Sequence, residues 1–311
     1  MRRSLSQALL AAALLLGACG QAEPTTPELM PGFDPGPIPP SGIQVILPIV
    51  RAFPAGESKE ICTWTNVITE QDIDIKSSRG VQSKIGHHVI LFYTTKHQPA
   101  GQTRECSDDD MASFRFAIGG DGLNVSAPGD LVFHIPKGAQ LVMNHHYLNA
   151  TPTAIDAQSA MNLYFATPSP SNIRAGNVAF VDTSLRIPPG PASLDIDCSV
   201  PRDMKLWHLM PHMHRWGDHI KVDLTSAGQK STLFDLKWQE DFTFHAPIIT
   251  RDPKDPFQFR KGDRLQVHCD WNNTTGKPMT FGMEMCVAFG MTVDTAAEGN
   301  IACDKGEWGE F

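Results

Sequence analysis

Six of the twelve histidines in this 311-residue chain fall into three tight clusters: His87-His88, His145-His146 and His212-Met213-His214. Neutral imidazole is the commonest metal-ligating side chain, so the spacing within each cluster decides what it can hold. Side chains two apart on a strand share a face, which lets His212 and His214 reach one ion. Adjacent side chains point to opposite faces. His87 and His88 can therefore meet one ion only at a strand end or a distortion; on a regular strand one is core and the other surface. At 145–146 the same alternation allows one ligand, and spacing does not choose between the two.

Sulfur sharpens the metal chemistry. The segment Phe281-Gly282-Met283-Glu284-Met285-Cys286 reads as part of a strand carrying two methionines on one face. Methionine there ordinarily fills a core. As a ligand, a thioether is soft and favours Cu(I), while imidazole suits copper in either oxidation state. Two histidines and a methionine thus specify copper over magnesium or calcium. Zinc accepts the histidines but is poorly served by the thioether.

The elements that must position these residues read as short strands: 43–50, 87–94, 139–149, 219–225, 264–271 and 280–291. Turn clusters such as Gly119-Gly120-Asp121-Gly122 and Pro188-Pro189-Gly190-Pro191 separate them. Glycine (25) and proline (24) are abundant, charged residues are only 19 %, and no long 3.6-residue period stands out. The expectation is an all-β chain of two tandem antiparallel β-sandwich, jelly-roll-like domains, 43–182 and 183–311, with no internal repeat. No basic cluster or RNA-binding motif is present, which argues against nucleic acid as a partner.

At the N-terminus, Arg2 and Arg3 precede an apolar run from Ala8 to Leu16, then Gly17-Ala18-Cys19. The run is too short to span a bilayer and reads as a secretory signal, residues 1–18. Small residues directly before a cysteine resemble the bacterial lipoprotein signal, which makes Cys19 the first mature, lipid-carrying residue. The mature chain then has 24 basic and 34 acidic residues, a net charge of −10. Residues 19–42, rich in Pro and Gly, read as a semi-rigid tether. The expected location is extracytoplasmic, anchored by lipid to a bacterial membrane on its periplasmic or cell-surface side. Six cysteines remain: Cys62, Cys106, Cys198, Cys269, Cys286 and Cys303. An even number in an exported chain suggests three disulfides, with fifteen possible pairings.

Taken in order, His87-His88, His146-Tyr147, His212-Met213-His214 and Glu284-Met285-Cys286 resemble the copper type II ascorbate-dependent monooxygenases, the family of dopamine β-monooxygenase and peptidylglycine α-hydroxylating monooxygenase. The gaps also agree: 58 residues from His88 to His146 and 71 from His214 to Met285. The resemblance covers residues 43–311. It implies one copper per sandwich, the first on His87, His88 and His146, the second on His212, His214 and Met285, with His145 and Met283 as neighbours. It also implies the pairings Cys62–Cys106, Cys198–Cys303 and Cys269–Cys286. The implied activity is hydroxylation of a substrate C–H bond with O₂. Ascorbate or another one-electron donor would supply two electrons, one per copper; the all-histidine copper stores one and relays it, and the sulfur-ligated copper meets oxygen.

The chain departs from the peptide-processing members where they hold a substrate carboxylate. Those members place Arg two residues before the His-x-His, and Asn and Tyr two and four residues after the methionine. Here the positions are Met210, Val287 and Phe289. An unpaired carboxylate is too costly to bury in that apolar set, so a less polar small molecule is the expected substrate. Asn144 stands where the peptide enzyme has Gln. Two other readings compete: a non-catalytic copper lipoprotein for storage, sensing or delivery, and a surface protein whose histidines serve no metal. The remaining histidines, His97, His134, His208, His219, His245 and His268, read as ordinary core or surface residues.

Overall fold

The computed structural model describes residues 27–120, 124–243, 246–293 and 300–310. The signal segment, Cys19, His245 and positions 121–122 of the glycine turn lie outside them. The chain is all-β, as two tandem, largely antiparallel sandwiches. Among the described residues, the helical structure is a six-residue helix, Asp108–Ser113, and a single 3₁₀ turn; no helix is long and apolar enough to cross a membrane.

In the first sandwich a five-stranded sheet runs Thr103–Glu105, Ser58–Ile68, Gln140–Leu148, Gly86–Thr94, Arg115–Gly120. Its middle strand, Gln140–Leu148, is buried at every position but the last. Burial on both faces is why its sequence, with Leu141, Val142 and Met143 in succession, shows no apolar–polar alternation. The facing sheet includes Gly42–Ile46, Ser159–Phe165, Ile73–Gln82 and Leu131–Ile135. Leu91, Ile118, Leu131, Leu141 and Met143 fill the space between them.

The second sandwich has a four-stranded sheet, Gly190–Ser199, Arg264–Asn273, Gly217–Ser226 and Gln229–Lys237. Here alternation is clean: Leu265, Val267, Cys269 and Trp271 face the core, and the residues between them face outward. Opposite lie Met204–His212 and Val287–Thr292. One strand, Ile173–Val181, serves both halves. Ile173–Ala175 pairs with Leu131–Phe133 of the first, then Gly176–Val181 pairs with Val287–Thr292 of the second.

The same corner occurs once in each sandwich. Asn149 and Asn273 are both buried, and each donates from Nδ2 to three backbone carbonyls: Phe53, Pro54 and Thr153 in one case, Ile187, Pro188 and Lys277 in the other. Each accepts from the N–H and hydroxyl of a threonine two residues on. The sequence shows no repeat because this one lies in hydrogen-bond geometry around an otherwise different chain.

Three expectations change. The strand 43–50 ends at Ile46 and resumes at Val50, since Pro48 cannot donate to the ladder. The strand 280–291 breaks into Met279–Thr280 and Val287–Thr292 around a turn at Gly282 (φ +91°). The tether is docked from Glu28 onward. Gln158 bonds Glu28 and Met30, Asn162 bonds Pro35, and Phe33, Pro35 and Pro39 are buried.

The disulfides are Cys62–Cys106, Cys198–Cys303 and Cys269–Cys286. Three such bonds place the chain in an oxidising, extracytoplasmic compartment.

Candidate metal centres

His87, His88 and His146 come together, each offering a ring nitrogen within 4.8 Å of the others. Strand alternation forbids this for neighbours, and a bulge removes the obstacle. His146 pairs with His88 and Tyr147 with Gly86, so His87 is the extra residue, and both histidines turn toward the same region. Gly86 permits the tight approach, because a Cβ there would lie 2.3 Å from Cβ of Gln82. Gln82 in turn donates from Nε2 to the carbonyl of His88 at 2.9 Å, tying the bulge to the facing sheet.

Ring orientation is set from behind. Ser58 Oγ lies 2.8 Å from Nε2 of His146. Nε2 of His88 lies 3.3 Å from Oδ1 of Asn144, whose Nδ2 donates to Sγ of Cys106 at 3.2 Å. Nδ1 of His87 and of His88 stand 3.5 Å apart. His145 points to the other face, 2.9 Å from Thr63 Oγ1 and against the ring of Tyr147. The structure thus brings His146, not His145, into the cluster.

His212 and His214 lie at the end of Met204–His212 with ring centroids 5.0 Å apart. The ladder to Val287–Thr292 stops at the pair His212–Val287. Beyond it a buried carboxylate joins the two segments. Glu284 accepts from the backbone N–H groups of His214, of Trp216 at 2.9 Å and of Met285 at 3.0 Å. His214 Nδ1 donates to the carbonyl of Met283 at 3.2 Å, which leaves Nε2 as its donor atom. Met285 is half-buried and packs with Ala179, Val181, Val287 and Phe289. Cys286 faces the opposite way, into the second core, bonded to Cys269. Met283 sits in the turn, 54 % exposed, so the two methionines do not share a strand face.

Each cluster feels the other's charge. Burial, then His88, His87 and His214, push His146 down to about 3. Burial, then His214 and His88, push His212 down to about 3 as well. These rings are neutral at physiological pH and keep the lone pairs that ligation needs. Three imidazole nitrogens suit copper or zinc and not a hard ion; two imidazoles joined by a thioether would suit copper.

Met210 is paired directly with Phe289, whose ring lies 6.2 Å from that of His212. Val287 is buried. One side of His212 is therefore apolar.

Sequence reasoning passed over Ser58 and Gln82, which carry no local signal, and gave Glu284 no role although it stands inside the quoted motif. Of the spare histidines, His97 bonds the carbonyl of Gly138 and His134 pairs with Asp74. Burial pushes His208 down to about 4. His219 and His268 gather around Asp270.

No protein-family model matches the chain, and no curated protein matches it. Among solved structures it is similar to the major capsid protein P2 of bacteriophage PM2, at 12 % identity over 81 % of this chain and 97 % of that one, TM-score 0.29. It is also similar to the VP2 subviral particle of infectious bursal disease virus, at 9 % identity over 85 % and 75 %, TM-score 0.21. Likeness at these TM-scores is too slight to bear on fold or function.

Proposed function

We propose that the chain is a copper-dependent monooxygenase that hydroxylates a C–H bond of a small, weakly polar organic molecule, using O₂ and an ascorbate-type one-electron donor. One observation carries the reading: His87, His88 and His146 converge within 4.8 Å, close enough to the His212–His214 pair for each cluster to depress the other's protonation. The same residues, with Met285, carry the resemblance to the ascorbate-dependent copper monooxygenases.

Copper held by these two donor sets, two ions per chain, would supply one-electron transfer at the all-nitrogen site and reduction of O₂ at the sulfur-containing one. In the overall reaction the C–H bond, O₂, two electrons and two protons give an alcohol and water. The chain's own groups set the conditions. Ser58 and Asn144 orient the first set of imidazoles. Glu284 ties His214 to Met285. Met210 and Phe289 present an apolar wall beside His212 that favours a substrate without a carboxylate. A lipid on Cys19 would hold the enzyme at a bacterial membrane, with the docked segment from Glu28 setting the first sandwich close to that surface.

The second reading is a non-catalytic copper lipoprotein, favoured by the apolar Met210, Val287 and Phe289 where the peptide enzymes bind substrate. Copper-loaded protein with reductant separates the two. The enzyme consumes O₂ faster when a candidate substrate is added and releases a hydroxylated product. A flat response across a broad panel of aromatic and aliphatic compounds rejects the enzyme. Uptake of no copper rejects both.

A further inference from the structure

We propose a third metal site, for a divalent ion of the zinc class, on the outward face of the four-stranded sheet and built from His219, His268 and Asp270. These residues offer three ligand atoms within 4.8 Å of one another. They lie on adjacent strands, Gly217–Ser226 and Arg264–Asn273, with His219 directly opposite Asp270. The sheet register, not a mobile loop, fixes their spacing.

The hydrogen bonds behind the rings point to a ligand. Nε2 of His219 donates to Asp235 Oδ1 at 2.8 Å, and Nδ1 of His268 donates to Asp195 Oδ1 at 2.8 Å. A carboxylate on the far nitrogen is the usual partner of a metal-bound histidine, because it fixes the tautomer and raises ligand basicity. With the far nitrogens carrying the protons, the near ones turn lone pairs toward Asp270: His219 Nδ1 is 3.4 Å from Oδ2, and His268 Nε2 is 3.2 Å from Oδ1.

Lone pairs on nitrogen and oxygen at that separation repel, so the arrangement calls for positive charge between them. A second proton on each ring can supply it, or a single metal ion can. Asp195, Asp235 and Asp270 outnumber Lys221, which pairs with Asp235 at 3.0 Å. With both rings neutral, the three carboxylates still outnumber the two lysines of this face, Lys221 and Lys237, the latter paired with His219 in the sheet register, leaving a negative charge that a cation would offset. Two imidazoles and one carboxylate favour zinc or copper(II) over calcium or magnesium. This site is independent of the proposed copper ligands and needs no thioether.

The test uses the full mature chain, first loaded with Cu(I) under reductant, then dialysed against Zn²⁺ at pH 7 and measured by elemental analysis. The wild type is expected to retain one more zinc per chain than His268→Ala or Asp270→Asn. His87→Ala should keep that zinc, whatever it does to copper. Asp195→Asn, which removes the carboxylate behind His268, should weaken zinc binding at least tenfold while circular dichroism remains that of the wild type. Equal zinc content in the wild type, His268→Ala and Asp270→Asn overturns the proposal and leaves the cluster as a set of protonated ion pairs.

Discussion

The carboxylate of Glu284 accepts hydrogen bonds from the backbone N–H groups of both His214 and Met285. Two chain segments 70 residues apart are thereby locked at the point where their β-ladder has ended. Removing the charge while keeping the shape tests what this lock does. Glu284→Gln should destabilise the fold by about 1–3 kcal/mol, since its amide can no longer satisfy three buried donors. In the reduced, copper-loaded variant the sulfur contribution to copper X-ray absorption should weaken. Wild-type stability together with a full sulfur signal would contradict the assigned positioning role.

Met285→Ala should abolish that sulfur contribution and leave the nitrogen-only copper in place. Met283→Ala should leave the sulfur contribution intact, because Met283 lies exposed in the turn. The opposite pattern would transfer the ligand to Met283.

The Cys269–Cys286 bond spans 17 residues and anchors the residue after Met285 in the core. Replacing both cysteines with alanine should cost about 3 kcal/mol in chemical denaturation. It should also loosen the sulfur-containing site while sparing uptake by His87, His88 and His146. Equal loss at both sites would mean that the bond supports the whole fold and not one centre.

Acid should weaken the metal-free protein. His145 and His146 are buried and held near 3, whereas an imidazole in the unfolded chain titrates near 6.5. Between those values the unfolded chain binds protons that the folded one refuses. Stability is therefore fully present above about pH 6.5 and falls as the pH drops toward 3, by about 1.4 kcal/mol per pH unit for each group. His212 and His208 act in the same direction. His268 opposes them: burial lowers its pKa, but Asp195 and Asp270 raise it by more. The urea midpoint of metal-free protein should be lower at pH 5 than at pH 7. An unchanged or higher midpoint would show that these rings are not kept neutral.

Asn149 and Asn273 lie in glycosylation-type triplets, yet their amides are spent on buried carbonyls. Expressed through a eukaryotic secretory route, the folded chain should carry glycan at the exposed Asn124 and not at these two. Asn273→Asp, which sets a negative charge against three carbonyl oxygens, should cost about 3 kcal/mol or more. Mass spectrometry of glycopeptides checks the first expectation and thermal unfolding the second.

Local residue chemistry was enough to read the all-β class, because apolar strands, glycine and proline turns and missing helical periods are properties of neighbours along the chain. It was also enough to single out the histidine clusters and the thioether, since softness and basicity belong to the side chain itself. The three cysteine pairings came from the family resemblance, as spacing left fifteen open. Which of His145 and His146 joins the cluster, and how His87 and His88 face the same way, depended on a bulge that exists only when Gly86–Thr94 pairs with Gln140–Leu148. The lock at Glu284, the shared strand Ile173–Val181, the repeated asparagine corner and the gathering of His219, His268 and Asp270 are likewise tertiary. Each joins residues distant in sequence through register and burial, and no local pattern records which distant strand will become a neighbour.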